Sequence, residues 1–468
     1  MFGRRSYFEA SLGGSVCWKR PILLGSAAAL SMFVAGCGNQ YRPVVSAINP
    51  VGPASQPTKY AIAISSPSAS SPGLLTFVDF AGDTVLSTPQ VLANPSYLAL
   101  APGGAQGYVI NSAGSFNEFP AGSPESLLSS DIGQSTLSAG STPVSITAVS
   151  LTGTNASVFV PEPGLSQVAA LTSTGSLEQN IGVPNNPIYV VGTNGAARAY
   201  VISEGNTVTP STVSSIESGN LAVSSTIPVG INPVYGVMTS DGKRAFILNK
   251  GSGTVNVINV VNNGPDLAMP VIPATGTLGQ GPVWADLAPI SNQLVVLNQG
   301  DGVHPGSLSI INIPLCSTAS PASNPNCDVA NPVDAVGFGT VLATVPVGIN
   351  PVMVSVLQDG TKAYVANQGN AAAGVEGSVS VVNLVSGTVT ATIPGISTAS
   401  ATSNTNTTPT EVYGHPTTIA ATTGTPTGKV YVTSADNKFM TVIETDTDTV
   451  TTHVNLQGLG VRVVVTAQ

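Results

Sequence analysis

Charge is what this chain has least of: Asp, Glu, Lys and Arg together make up 8% of its 468 residues, against roughly 25% in an average globular protein. Histidine is scarcer still, at three residues, with two tryptophans and four cysteines. Groups able to move protons are therefore sparse, which argues against acid–base catalysis as the main activity. The formal net charge of −9 opposes nucleic acid and anionic lipid headgroups. The sequence contains no Gly-x-Ser-x-Gly elbow, no phosphate loop and no cysteine–histidine pair at metal-ligand spacing. Helical periodicity is nearly absent. The one long apolar run, Ile22 to Ala35, is shorter than the roughly 20 residues needed to span a bilayer.

What is abundant is the chemistry of strands and turns. Gly 50 and Pro 36 accompany a hydrophobic fraction of 42%, enough for a packed core. The stretch Ile231 to Val260 shows the unit most clearly. Asn232-Pro233 opens a strand predicted over 234–239, because proline is tolerated where a strand begins. Ser240-Asp241-Gly242-Lys243 turns the chain with residues suited to positive φ. The next strand carries Ala245, Phe246, Ile247 and Leu248 in succession, so both of its faces are destined for burial. Lys250 to Gly253 turns again into Thr254–Asn259. The unit is an antiparallel meander.

The opening proline recurs at Pro95, Pro143, Pro187, Pro233, Pro282, Pro351 and Pro416, mostly 44 to 49 residues apart. The spacing stretches to 69 and 65 where two insertions fall, one around Cys316 and Cys327 and one over Ile396 to Thr410. A period of this size, with four strands per unit, implies an all-β fold: a β-propeller of four-stranded antiparallel blades. Seven opened units and one split unit predict eight blades, with seven as the alternative count. In the split unit, Tyr60–Ser65 lacks a preceding first strand, and Val461–Thr466 is a first strand without a second. The ring is expected to close by pairing the C-terminal strand with the N-terminal strands.

Ahead of the repeats, Arg4, Arg5, Lys19 and Arg20 precede the apolar run, the order of an export signal. The run ends in Val34-Ala35-Gly36-Cys37, which resembles the lipobox of bacterial lipoprotein signal peptides and implies a lipid on Cys37. An ordinary signal peptide and a twin-arginine signal are the other readings. The expected division is a signal peptide over 1–36, a lipid-anchored Pro/Ser/Gly-rich tether over 37–59 and a propeller over 60–468. Cleavage before Cys37 leaves 10 basic and 22 acidic residues, net −12. Cys316 and Cys327 remain as a pair expected to form a disulfide in an oxidising compartment, against two free thiols or a metal pair. Closing that loop contributes roughly 2 to 3 kcal/mol.

Tyr364-Val365-Ala366-Asn367 and Tyr431-Val432-Thr433-Ser434, with Val379–Asn383 and Met440–Glu444, resemble the Tyr-Val-Thr-Asn propeller repeats of bacterial and archaeal surface proteins. The resemblance spans roughly residues 60 to 467 and implies the propeller fold. Propeller lactonases share this general look but often carry Arg-His after the opening proline and Glu after the Tyr-Val strand. Here Pro233 is followed by Val234-Tyr235, and Asn249 by Lys250.

The hairpins after the second strand and the loops leading into the first strand must emerge on one face of such a ring. That face is expected to gather Asn186, Asn232, Asn350 and His415 from the strand starts, with Lys250, Gln299, His304 and Gln368 from the hairpins. These groups are mostly neutral and polar, suited to hydrogen bonding with sugars or peptide backbone. The expected function is a binding or assembly module at the cell envelope, monomeric, with an envelope protein or glycan as ligand, no nucleic acid and a membrane attachment through lipid. A lactonase-like or other hydrolytic propeller is the alternative. No cofactor and no metal site is expected. Anchoring places the chain at the outer membrane or on a periplasmic face.

Overall fold

A computed structural model describes residues 59–466 apart from 112–113, 185, 267–270, 274–279, 315–336, 397–409 and 423–426. The chain divides into two compact units, Met1–Ser55 and Gln56–Gln468, and every described residue belongs to the second. The signal segment, Cys37, nearly all of the tether, the Cys316 and Cys327 loop and most of the Ser/Thr/Asn-rich insertion lie outside the described residues.

Eight antiparallel sheets form the ring of a β-propeller. Blade 1 combines Leu459–Val465 with Tyr60–Ser66, Pro72–Asp79 and an outer strand in two pieces, Val85–Ser87 and Gln90–Ala93. The inner strands of blades 2 to 8 are Pro95–Leu100, Thr147–Ala148, Pro187–Val191, Pro233–Met238, Pro282–Ala288, Pro351–Val356 and Pro416–Thr422. Each touches the next, and the last touches Leu459–Val465, so the ring is complete. Blade 7 adds a short parallel strand, Val412–Tyr413, beyond its outer strand.

Second strands bury both faces between neighbouring blades, as their unbroken apolar runs require. In blade 5 all six residues of Arg244–Asn249 are buried. In blades 4 and 7 the tyrosine of the second strand does more than fill space. The hydroxyl of Tyr364 donates to Asp448 Oδ1 in the outer turn of blade 8 at 2.6 Å, and the Lys362 ammonium meets the same carboxylate at 2.8 Å. Tyr200 reaches Asn263 of blade 5 in the same way, at 3.3 Å. Burial, aided by the Asp448 carboxylate, pushes the Tyr364 phenol far above its ordinary range. The asparagine ending the second strand is likewise structural. Asn367, 1% exposed, donates to Ser378 and Ser380 of the third strand and accepts from the Gly348 N–H of blade 6. A Cβ on Gly348 would lie 2.5 Å from Asn367 Cγ, so only glycine permits this approach.

The expected closure is present. Ala61, Ile62 and Ala63 pair with Val465, Val464 and Val463, and the Thr466 N–H donates to the Tyr60 carbonyl at 3.0 Å. Val463 is fully buried and Val465 nearly so. At the same seam Lys429 of blade 8 bridges Asp83 of blade 1 at 2.7 Å. Burial nonetheless outweighs Lys429 and holds the Asp83 carboxyl above its usual range.

Three local expectations need correction. Blade 3 does not start its strand at Pro143: only Thr147–Ala148 is paired. There the hydroxyls of Ser145 and Thr147 donate to the Ile188 and Val190 carbonyls of blade 4, so bonds to the neighbouring blade replace ladder bonds. In blade 1 the sequence pattern predicts one outer strand over Thr84–Leu92, but the strand is interrupted at Thr88-Pro89, proline having no N–H for the ladder. In the Ser240–Lys243 turn only Gly242 takes positive φ, at 68°.

Candidate ligand-binding face

The face on which the inner strands begin, the upper face, is built by one repeated backbone device. In blades 4 to 7 the first residue after the second strand donates its N–H to the carbonyl of the residue before the opening proline. The pairs are Glu204 with Asn186, Lys250 with Asn232, Gln299 with Gly281 and Gln368 with Asn350, at 2.8 to 3.0 Å. Asn186, Asn232 and Asn350 stand at φ 62°, 51° and 50°. Asparagine tolerates this left-handed conformation better than other residues with a side chain. Backbone geometry thus accounts for the residue type, and the side chain is delivered to the rim as a consequence.

Four of the residues expected there form a continuous chain. Lys250 Nζ donates to Gln299 Oε1 at 2.6 Å, Gln299 Nε2 to Asn350 Oδ1 at 2.6 Å, and Asn350 Nδ2 to Gln368 Oε1 at 2.8 Å. The chain crosses three blades. Its far end borders a cavity of about 580 Å³ whose wall includes Asp301, Asn350, Gln368, Asn370, His415 and Asp436.

Two histidine–aspartate pairs flank this cavity. His415 Nδ1 meets Asp436 Oδ2 at 2.6 Å, and the His415 N–H donates to Asp436 Oδ1 at 2.9 Å. Among the described residues His415 has no other hydrogen bond, which leaves Nε2 free. His304 Nδ1 meets Asp301 Oδ2 at 2.7 Å on a much more exposed hairpin. The N–H of His304, then its ring, then the N–H of Val303, hold the Asp301 carboxyl well below the usual carboxylate range, so it is an anion. The cavity wall therefore offers carboxylate acceptors, amide donors and one imidazole.

Of the eight expected residues, Asn350, Gln368 and His415 line the cavity, and Gln299 and Lys250 connect to it. His304 reaches it through Asp301. Asn186 instead donates to Glu204 at 2.8 Å in blade 4, and Asn232 joins through its backbone bond to Lys250. Sequence reasoning missed Asp301, Asp436 and Glu204. The first two sit in turns, where aspartate is commonplace, and each lies within reach of a histidine only once the hairpins are folded. The third histidine, His453, is structural: it stacks on Tyr413 at 3.7 Å and burial lowers it to about 4.

No family model matches the chain, and no curated protein matches its sequence. Solved structures share its fold. The chain is similar to apo AztD of Citrobacter koseri, at 12% identity and a TM-score of 0.56, over 87% of this chain and 97% of that one. It is similar to the dihydro-heme d1 dehydrogenase NirN in complex with DHE, at 11% identity and a TM-score of 0.58, over 86% and 74%. A candidate 6-phosphogluconolactonase of Bacteroides fragilis matches at 13% identity and a TM-score of 0.51, over 88% and 99%. This is an eight-bladed β-propeller. At these identities the likeness establishes the fold and leaves function to the site, since one fold hosts unrelated activities.

Proposed function

We propose that the protein is a lipid-anchored binding module of the cell envelope that holds a glycan on its upper face. The observation that carries this reading is the Lys250–Gln299–Asn350–Gln368 chain ending at a cavity that also presents Asp301 and Asp436. Sugar hydroxyls both donate and accept, so they suit a wall of fixed amides and carboxylates. A cavity of this size falls within the range of small-ligand sites. Attachment through Cys37, a lipoprotein of the resembled propeller-repeat type and an envelope location belong to the same reading and rest on the sequence.

The test is a glycan and peptidoglycan-fragment array probed with a soluble Cys37→Ser form, beside envelope peptides. Saturable glycan binding that falls about tenfold or more in Gln368→Ala supports the reading, since truncating a hot-spot contact typically costs 1 to 2 kcal/mol or more. Binding to peptides alone, or to nothing, contradicts it. Loss of fatty-acid labelling in Cys37→Ser supports the anchor, and unchanged labelling contradicts it.

The His415–Asp436 pair, the less exposed of the two histidine–aspartate pairs, gives the hydrolytic alternative a structural foothold, because an aspartate on Nδ1 leaves Nε2 as a base. A lactone-hydrolysis assay on the same preparation separates the two. Turnover that is lost in His415→Gln favours the enzyme.

A further inference from the structure

The inner strands carry a repeated irregularity. In blades 2, 4, 5, 6, 7 and 8 the strand register shifts between the opening proline and the second residue after it. A bulge re-aims the side chain that follows. The residues at that position are Tyr97, Tyr189, Tyr235, Trp284, Met353 and Thr418. Several meet around the axis of the ring: Tyr189 lies 4.7 Å from Tyr235 by ring centroid, and Tyr235 stacks on Trp284 at 3.9 Å. Arg462, from the closing strand of blade 1, completes this tier. Its guanidinium lies 3.9 Å from the centre of Tyr97 in blade 2 and 5.5 Å from that of Trp284 in blade 6. Blades 1 and 6 are not neighbours, so Arg462 reaches across the axis.

Beneath this tier a cavity of about 700 Å³ opens toward the lower face, where the inner strands end. Its wall includes Trp284, Asp286, Ser355, Gln358 and Arg462, with the loop Pro102–Gly104 at its mouth. Arg462 forms no ion pair and no hydrogen bond among the described residues, and its Nε is buried without a partner. Asp286 does not supply one: its carboxylate accepts the N–H groups of Val356 and Leu287, both at 2.8 Å. Arg462 as a whole is half-buried and keeps its charge, and the aromatic faces beside it offset only part of the cost of desolvating its Nε. A carboxylate matches its fork with two parallel bonds.

We infer that this channel is a second binding site, distinct from the upper face, for a small aromatic carboxylate, with the carboxylate on Arg462 and the ring against the Trp284–Tyr235 stack. The charge of Arg462 and the flat faces of the stacked Tyr235 and Trp284 favour that class over a neutral or an aliphatic ligand. The inference does not depend on the glycan reading, because the two sites occupy opposite faces.

Trp18 and Trp284 are the only tryptophans, so the full chain carrying Trp18→Phe reports on this site alone through its fluorescence. Titration with benzoate should give a saturable change, and benzamide, the neutral isostere, should bind at least about tenfold more weakly. Inorganic phosphate should not compete at concentrations where benzoate saturates. Arg462→Met, which keeps the stem and removes the charge, should weaken benzoate at least about tenfold. No saturable change with benzoate, equal affinity for benzamide, phosphate binding as tightly as benzoate, or an unaffected Arg462→Met overturns the inference. If Arg462→Met does not fold, the benzoate-to-benzamide ratio of the parent protein decides.

Discussion

Lys250 and Gln299 belong to different blades, yet the ammonium of one donates to the amide oxygen of the other at 2.6 Å. The contact orients Gln299 so that its nitrogen faces Asn350, and the order propagates to the cavity. Replacing Gln299 by Ala is expected to interrupt this chain without unfolding the blade. Its thermal stability should change by less than about 1 kcal/mol, as for other partly exposed polar contacts. Affinity for an upper-face ligand should fall by about tenfold or more. Calorimetric binding and melting curves on the same samples check both halves.

The seam predicts a second outcome. Deleting residues 459–468 removes the inner strand of blade 1, exposes the edge of Tyr60–Ser66 and takes away buried Val463 and Val465. Each valine contributes about 1.5 to 3 kcal/mol, and each hydrogen bond about 0.5 to 1.5 kcal/mol net. The loss is therefore several kcal/mol, with aggregation through the open edge. A truncated protein that melts like the parent contradicts this.

Arg244 and Asp266 form a buried ion pair at 2.7 Å, with side chains 1% and 4% exposed. Asp266→Ala strands the guanidinium and should cost about 3 to 5 kcal/mol in denaturant unfolding, whereas replacing both partners by apolar residues of similar volume should recover most of that.

Burial pushes the Asp286 carboxyl up to about 6, against the lowering effect of its two backbone donors. An acid whose folded value lies above its unfolded one, near 3.9, binds more protons in the native state. Its contribution to stability is present below about pH 4 and is lost as pH rises to and through 6. The melting temperature of Asp286→Asn relative to the parent should therefore shift in favour of the variant between pH 4 and pH 8. The full effect is at most about 3 kcal/mol. A constant difference contradicts the assignment.

The ring was legible because its punctuation is chemical. Proline can open an inner strand but cannot sit inside one, so six of seven opening prolines mark true strand starts. Pro143 misled because Ser145 and Thr147 satisfy the neighbouring blade through hydroxyls, an option that composition does not reveal. On the upper face, Gln299, Asn350, Gln368 and His415 could be placed together from turn topology alone. Their partners Asp301 and Asp436 could not, since an aspartate that fixes a turn and one that also orients a histidine look alike in sequence. Arg462 was hidden within an apolar strand, although the recurring Pro-x-Tyr or Pro-x-Trp spacing was a readable sign of an aromatic tier at the axis.

We propose that ligand is held on the upper face, at the end of the Lys250–Gln368 chain. Hydrogen exchange with and without the strongest array ligand tests it most directly. Protection should concentrate in residues 299–304, 349–351, 368–371 and 414–416 and around Asp436, with Gly103–Gly104 and Gln358 on the lower face unchanged. Protection confined to the lower face, or spread evenly over the ring, contradicts binding at the upper face.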